Sequence, residues 1–334
     1  MIFGKALNRA LAELMTKDSR VLLLGEDIAD PYGGAFKITS GLSTRFPDRV
    51  RSTPISEAAI VGIAGGLALE GYRPIVEFMF GDFLTLGFDQ LLNAICKYQE
   101  MYNQQVSAPI ILRTPSGGGR GYGATHSQSL EKHFLGIPNL LVLAASPWHA
   151  PADAFTALLA QNRPALYIEH KLLYSAELTL PHGGRLDSWS ASFDNAPFPT
   201  LSLSPVPGEE CTVTCLAYGY QALRAKRVIE RLGVESNIFV ELVVPTQLCP
   251  MTWPAVFESV SRTGALVTVE EGTAGWSWGT QASAEIQREH FNRLRHPTRI
   301  ITSAASVLPA ARHLERDRLV QEKDIEQALR EASR

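Results

Sequence analysis

Two side chains in this sequence have the type and setting for chemistry: a lone carboxylate, Glu57, and a histidine, His126, that follows a run of glycines. Glu57 comes directly after Thr53-Pro54-Ile55-Ser56 and is flanked by Ala58, Ala59 and Ile60. Taken alone, it reads as a first-turn acid that complements the dipole of the helix it opens. His126 follows Gly117-Gly118-Gly119-Arg120-Gly121-Tyr122-Gly123. That run invites a phosphate-loop reading, but its spacing matches neither a nucleotide P-loop nor a dinucleotide fingerprint. A mobile loop that brings an imidazole to a ligand fits better, and the plainer account is an ordinary surface loop. The remaining histidines show no metal-ligand spacing. Ser127 and Ser129 lack the strand-turn-helix setting of a nucleophile elbow, so a Ser-His-Asp hydrolase is poorly supported.

The elements that must position these groups follow from periodicity. Pro54 fixes φ for a first helical turn and Gly71 offers a stop, and between them Ile60, Ile63 and Leu67 make an apolar face. Gly62, Gly65 and Gly66 each cost this helix roughly 1 kcal/mol relative to alanine, which points to a second backbone approaching closely. Before it come an amphipathic helix (Ala6, Leu7, Ala10, Leu11, Leu14), a buried strand Val21 to Leu24, a short helix from Thr39 to Phe46 and a strand around Val50. After it, strands are expected over Ile75 to Phe80, Ala108 to Arg113, Leu140 to Leu143 and Ala165 to Glu169. Helices are expected from Phe83 to Met101 and after Pro151. This strand-helix alternation is the pattern of a parallel sheet covered by helices. Residues 179–209 lack sustained periodicity and read as a linker. The alternation returns with a strand from Cys211 to Ala217, helix Gln221 to Leu232 capped by Gly233, and strand Ile238 to Val244. Helix Trp253 to Ser261, strand Ala265 to Val269 and helix Thr280 to Asn292 follow.

The chain has 334 residues, 45% hydrophobic and 19% charged, ample for two domains with buried cores. A net charge of −3 offers no basic face for nucleic acid or an anionic membrane. No apolar run approaches the roughly 18 residues that span a bilayer. No signal peptide is visible. Cys96, Cys211, Cys215 and Cys249 form no disulfide framework, and Cys211 and Cys215 share one face of an alternating strand. A reducing, cytoplasmic location is expected.

Several short motifs, taken in order, carry a resemblance: Leu24-Gly25-Glu26-Asp27, Gly33-Gly34-Ala35-Phe36, Thr53 to Glu57, Glu77-Phe78-Met79-Phe80, Phe88-Asp89-Gln90, His126-Ser127-Gln128-Ser129 and Leu173-Tyr174. The chain resembles the beta subunits of the thiamine-diphosphate-dependent decarboxylating component of 2-oxo acid dehydrogenases, the group of the pyruvate, branched-chain and acetoin enzymes. The likeness is close over residues 1–174. It is thinner from 205, where Leu266 to Gly272 and the helix around Glu285 match best. It implies an α/β fold with a pyrimidine-binding domain built on a parallel sheet (residues 1–178), a linker (179–209) and a smaller transketolase C-terminal-like α/β domain (210–334). It also implies roles. Glu57 would hydrogen-bond a ring nitrogen of the cofactor's aminopyrimidine and share its proton, favouring the imino tautomer that deprotonates the thiazolium carbon. A carboxyl among apolar neighbours, with its pKa raised, suits that task. Ile55, Phe83 and Met79 would line the aminopyrimidine. His126 would stabilise the substrate oxyanion or move a proton during acyl transfer to lipoamide.

An absence matters as much. The Gly-Asp-Gly…Asn pattern that holds the diphosphate and Mg2+ in the wider family is missing, since Gly81-Asp82 is followed by Phe83 on the wrong segment. The resemblance therefore implies half of an active site, completed by an alpha subunit in an α2β2 heterotetramer and served by a lipoyl-bearing acyltransferase or carrier. Two departures stand out. Where the family tends to hold a structural potassium ion, this chain has Gln161-Asn162-Arg163-Pro164, and a guanidinium there argues against a cation. The acidic Asp-Leu-Arg expected on the second domain's central strand reads Glu241-Leu242-Val243, which puts docking to a standard acyltransferase core in doubt. The rival readings are a split transketolase-like enzyme, separable by its acceptor, and a regulatory subunit that keeps only the fold, against which Glu57 and His126 both speak.

Overall fold

In the computed structural model, residues 1–205, 210–251 and 254–334 are described; Trp253, expected at a helix start, lies outside them. The first half runs α1 (Phe3–Lys17), β1 (Val21–Gly25), α2 (Leu42–Arg45), β2 (Val50–Ser52), α3 (Glu57–Leu69) and β3 (Arg73–Glu77). Then come α4 (Tyr98–Met101), β4 (Ile111–Ser116), β5 (Leu141–Ala144), α5 (Pro151–Gln161) and β6 (Ala165–His170). Strands β7 (Arg185–Leu186), β8 (Trp189–Phe193) and β9 (Leu201–Ser204) lead to β10 (Val213–Ala217), α6 (Gly219–Ser236), β11 (Val240–Val244) and β12 (Gln247–Cys249). The chain closes with α7 (Pro254–Thr263), β13 (Leu266–Thr273), α8 (Trp278–His290), β14 (Arg299–Ser303), α9 (Arg312–Arg318) and α10 (Glu322–Ala332).

Among the described residues these make two sheets, ordered β12-β5-β6-β4-β3-β1-β2 and β14-β13-β10-β11-β9-β8-β7. In the first, β1 to β6 are parallel and both faces are covered, so β5 and β6 are buried at every residue. One face packs on α1 and α5 through Phe3, Leu7, Leu11, Phe155 and Leu158. The other packs on α3 through Ile60, Val61 and Ala64, and its core continues without a break into Leu216, Val243 and Trp278 of the second half. Strand β12 crosses over and pairs antiparallel with β5, so the two halves share a sheet edge. No helix among the described residues is long and apolar enough to cross a membrane.

Three expectations are corrected. Residues 83–101 are not one α-helix. Gly81–Gly87 is 3-10, Gln90–Ala94 a π-turn and Ile95–Lys97 again 3-10, before α4. Gly87 sits where α3 presses in: a Cβ there would lie 2.8 Å from Val61 Cγ2. The i,i+4 polar ladder survives the irregularity, with Lys97 donating to Asn93 at 2.9 Å and Asn93 to Asp89 at 2.7 Å. The stretch expected as a linker holds β7, β8 and β9, which extend the second sheet antiparallel to β11. Finally, α6 does not stop at Gly233 but runs to Ser236, where Asn237 in the left-handed conformation (φ 53°) ends it.

Candidate active site

In a parallel sheet the C-terminal strand ends open toward one edge, where the connecting loops gather. Here that edge collects the residues singled out in the sequence. β1 ends at Gly25 and is followed by Glu26, β2 leads to α3, β3 leads to Met79 and Phe80, and β4 leads into the glycine-rich loop. Glu57 is the first residue of α3 and only 5% exposed. Its backbone is fixed by position: Thr53 N–H donates to Gly25 O at 2.9 Å, tying the segment before α3 to the end of β1. Glu26, also 5% exposed, feels the charge of Glu57, and its Oε1 is buried without a hydrogen-bond partner among the described residues. Burial first, then the charges of Glu57 and Asp27, pushes the Glu26 carboxyl up to about 7. A pair of mutually repelling carboxyls, one holding its proton near neutrality, can donate and accept hydrogen bonds at a heteroaromatic ring.

The aromatic wall stands beside them. Phe80 meets His126 edge-on with ring centroids 4.7 Å apart, and Phe83 meets it at 5.3 Å. Phe36 and Tyr122 pack on Phe80 at 5.7 and 6.0 Å. Met79 and Phe83 are half-buried, whereas Ile55 is 81% exposed, an apolar side chain left open at the rim. The structure thus gathers Phe83 and His126 directly. Glu57, Met79 and Ile55 reach the same edge through neighbouring strand ends.

Beneath this edge lies a buried polar network. Arg113 of β4 donates from Nε and Nη2 to Glu169 of β6 at 2.9 and 2.5 Å and from Nη1 to Glu77 of β3. Tyr174 Oη completes it with a 2.7 Å bond to Glu169. Burial pushes the Glu77 carboxyl up to about 7, against the pull of Arg113. Glu77 Oε1 would stand 2.4 Å from a Cβ on Gly34, whose φ is +80°, so only glycine lets the 33–36 loop lie on the network and bring Phe36 to Phe80.

The glycine-rich segment is the largest departure from expectation. It is not a free loop. Lys171, fully buried, donates to the carbonyl of His126 at 2.8 Å with its ammonium 5.5 Å from the Phe80 ring centre. Burial pushes that ammonium down to about 8. Asp82 accepts from the Gln128 side chain at 2.7 Å, so Gly81-Asp82 serves as a tether for this loop. Glu271 accepts from Gly118 N–H, Gln221 and His170 Nε2 at 2.7, 2.8 and 3.0 Å. The residues that sequence reasoning passed over are therefore Glu26, Asp82, Lys171 and Glu271. Glu26 and Glu271 had a visible signal, an acid at the end of an apolar strand.

Arg163, expected to exclude a cation, donates from Nε to Asn139 O at 3.0 Å, and Asn162 is engaged by Arg73 at 2.7 Å and Ser107 at 2.9 Å. Among the described residues no group of three or more His, Cys, Asp and Glu is placed to hold a metal ion.

Comparison with known proteins gives one consistent answer. The family model described as "Transketolase, pyrimidine binding domain" matches residues 1–176, and "Transketolase, C-terminal domain" matches residues 205–325. The chain is 32% identical over 322 residues to the beta subunit of an acetoin:2,6-dichlorophenolindophenol oxidoreductase from Cupriavidus necator, covering 93% of this chain and 90% of that one. It is 31% identical over 335 residues to pyruvate dehydrogenase E1 component subunit beta-1, mitochondrial, from Oryza sativa subsp. japonica (99% and 86% covered). It is 34% identical over 298 residues to a 3-methyl-2-oxobutanoate dehydrogenase subunit beta from Mycobacterium tuberculosis (88% and 81% covered). Among solved structures it superposes on a "split gene transketolase, inactive beta4 tetramer" with a TM-score of 0.73 at 20% identity, covering 98% of this chain and 97% of that one, a likeness of fold.

Proposed function

The chain belongs to the family of 2-oxo acid and acetoin dehydrogenase beta subunits, and from that premise we propose that it supplies the aminopyrimidine half of a thiamine-diphosphate active site. The observation that carries the reading is the buried pair Glu26, just past the end of β1, and Glu57, the first residue of α3, close enough that the charge of Glu57 helps push the Glu26 carboxyl up to about 7. The residues present fit the group: two carboxyls for ring nitrogens, the exposed Ile55 and half-buried Met79 and Phe83 for the ring faces. When bound, thiamine diphosphate supplies a carbon nucleophile and an electron sink for decarboxylation. Glu57 holds or passes a proton at the pyrimidine nitrogen. Glu26, with its carboxyl pushed up to about 7, donates as well as accepts a hydrogen bond at that corner. His126, fixed edge-on against Phe80 and Phe83, donates to the developing oxyanion and carries a proton during acyl transfer to a lipoyl carrier. The diphosphate and Mg2+ belong to an alpha subunit. The substrate class is a 2-oxo acid, and the acceptor separates this reading from a split transketolase, lipoamide against an aldose.

The test is Glu57→Gln, which keeps the volume and removes the acid. Co-expressed with its alpha chain, the variant is expected to assemble with an unchanged melting temperature. It should lose about 10² to 10⁴ in turnover of pyruvate or 3-methyl-2-oxobutanoate. Wild-type turnover in an assembled variant removes Glu57 from the mechanism. Calorimetric titration of the isolated chain should show only weak binding of thiamine diphosphate; tight, Mg2+-dependent binding by this chain alone refutes the half-site.

A further inference from the structure

Three backbone N–H groups of the loop that carries His126 point at two carboxylates from the C-terminal half of the chain. Gly118 donates to Glu271 Oε1 at 2.7 Å, Gly119 to Glu315 Oε1 at 3.0 Å and Gly121 to Glu315 Oε2 at 2.8 Å. The partners lie 153 to 196 residues apart in sequence. Both carboxylates are buried, Glu271 at 6% and Glu315 at 1% exposed. Such N–H to carboxylate bonds are roughly twice as strong as neutral ones, and successive N–H groups in a glycine turn form a ready anion cradle. This cradle is filled from within.

The glycines are what allow the approach. A Cβ at Gly117 would lie 2.1 Å from His170 Nε2, one at Gly118 2.6 Å from Leu319 Cδ1, and one at Gly121 2.9 Å from Ala310 O. Gly117, Gly119 and Gly121 all have positive φ, 84°, 87° and 73°. At the far end the loop is held again, by Lys171 on the His126 carbonyl and by Asp82 on Gln128. The imidazole therefore stands between two anchored ends, and the near anchor belongs to the C-terminal domain.

We propose that Glu315, seconded by Glu271, is a positioning residue for His126: by holding the 118–121 amides it sets where the imidazole stands over the reacting centre. The proposal rests on the role given to His126 above. Glu315 uses both oxygens, one for each N–H. Glutamine offers a single acceptor and turns an NH2 toward the other N–H, so Glu315→Gln breaks one bond and adds a repulsion without changing volume. A displacement of about 1 Å at a catalytic group can cost 10²-fold in rate.

The experiment uses the assembled heterotetramer with thiamine diphosphate and Mg2+, and the variants Glu315→Gln, His126→Ala and both together. Expected for Glu315→Gln are faster hydrogen exchange in peptides covering 117–125, a fall of about 10- to 100-fold in kcat for lipoamide acylation, and a KM for the 2-oxo acid within about twofold of wild type. In the His126→Ala background Glu315→Gln should cost nothing further, because a displaced imidazole cannot matter once it is gone. A purely structural Glu315 would lower both backgrounds alike, and that result overturns the proposal, as does a loosened loop with wild-type kcat. If His126→Ala itself turns over like wild type, the reading of His126 fails, and the proposal falls with it, whatever the exchange data show about the loop. Should Glu315→Gln not assemble, Glu271→Gln carries the same cycle through the Gly118 end.

Discussion

Arg113 offers the sharpest test of the interior. It lies on β4 between β3 and β6, wholly buried, and its guanidinium joins Glu77 on one side to Glu169 on the other. Arg113→Met keeps much of the apolar stem but strands two carboxylates inside a sheet covered on both faces. Removing one partner of a buried ion pair costs about 3–5 kcal/mol. For a domain of the size that carries it, roughly 2–4 °C per kcal/mol, the melting temperature should fall by about 6–20 °C. The loss must also depend on pH. Without the guanidinium the Glu77 carboxyl, which burial already pushes up to about 7 against the pull of Arg113, lies still further above the unfolded value near 4.3. The native state then binds more protons than the unfolded one through that window, and stability declines as pH rises through it. The variant should therefore be less destabilised near pH 5 than near pH 8. Replacing Glu77, Arg113 and Glu169 together by apolar residues of similar volume should recover most of the loss. Thermal melts by circular dichroism at the two pH values read all three. A drop equivalent to less than about 1 kcal/mol, or one equal at both pH values, would refute the argument that the network holds two charges in the interior. Because Gly34 lies against Glu77 and its loop brings Phe36 to Phe80, turnover should fall as well.

Further outcomes follow from single contacts. Glu26 folds with its carboxyl raised to about 7, so its ionisation lowers stability as pH rises from the unfolded value toward 7; Glu26→Gln should raise the melting temperature near pH 8 and flatten its pH dependence, and a lower melting temperature there would contradict the assignment. With Arg163 donating to the Asn139 carbonyl, melting temperature and turnover should be the same in potassium and sodium at constant ionic strength, and a specific potassium requirement would show the cation site to be kept. The outer face of α3 exposes Ile63 (59%) and Leu69 (41%), and a Cβ on Gly66 would meet nothing within 4 Å among the described residues. The fold itself does not need that glycine. We expect a second copy of the chain against this face, so Gly66→Leu should abolish self-association in sedimentation while the monomer stays folded.

How much of this was legible depended on how far apart the partners lie. The helix opened by Glu57 was legible within one segment, and α3 runs from Glu57 to Leu69, although Pro54, expected in its first turn, stands outside it before the N-cap Ser56. The strands β8 and β9 were equally local but passed unread. Trp189 and Ala191, and Leu201 and Leu203, alternate inward with serines between, but each run is too short to register as sustained periodicity, and the prolines and polar residues between them mark the connection of a hairpin rather than a linker. The 83–101 break was hidden by the Asp89, Asn93 and Lys97 ladder, which keeps i,i+4 contacts even where the backbone bonding does not. Arg113 gave no local sign of its carboxylates, 36 and 56 residues away. The glycine-rich loop is the instructive case. Its spacing fits no phosphate loop and it is not the mobile loop expected, yet its positive-φ glycines turn N–H groups toward anions, the carboxylates of Glu271 and Glu315. Such a loop specifies that an anion must approach and does not specify whose. The answer sat in β13, whose mostly apolar start, Leu266 to Val269, runs into two acids: Glu270 accepts from Gly279 N–H at 2.6 Å at the start of α8, and Glu271 accepts from Gly118. An acid that a buried strand delivers into the interior needs donors, and a glycine run with unspent N–H groups is where this chain keeps them.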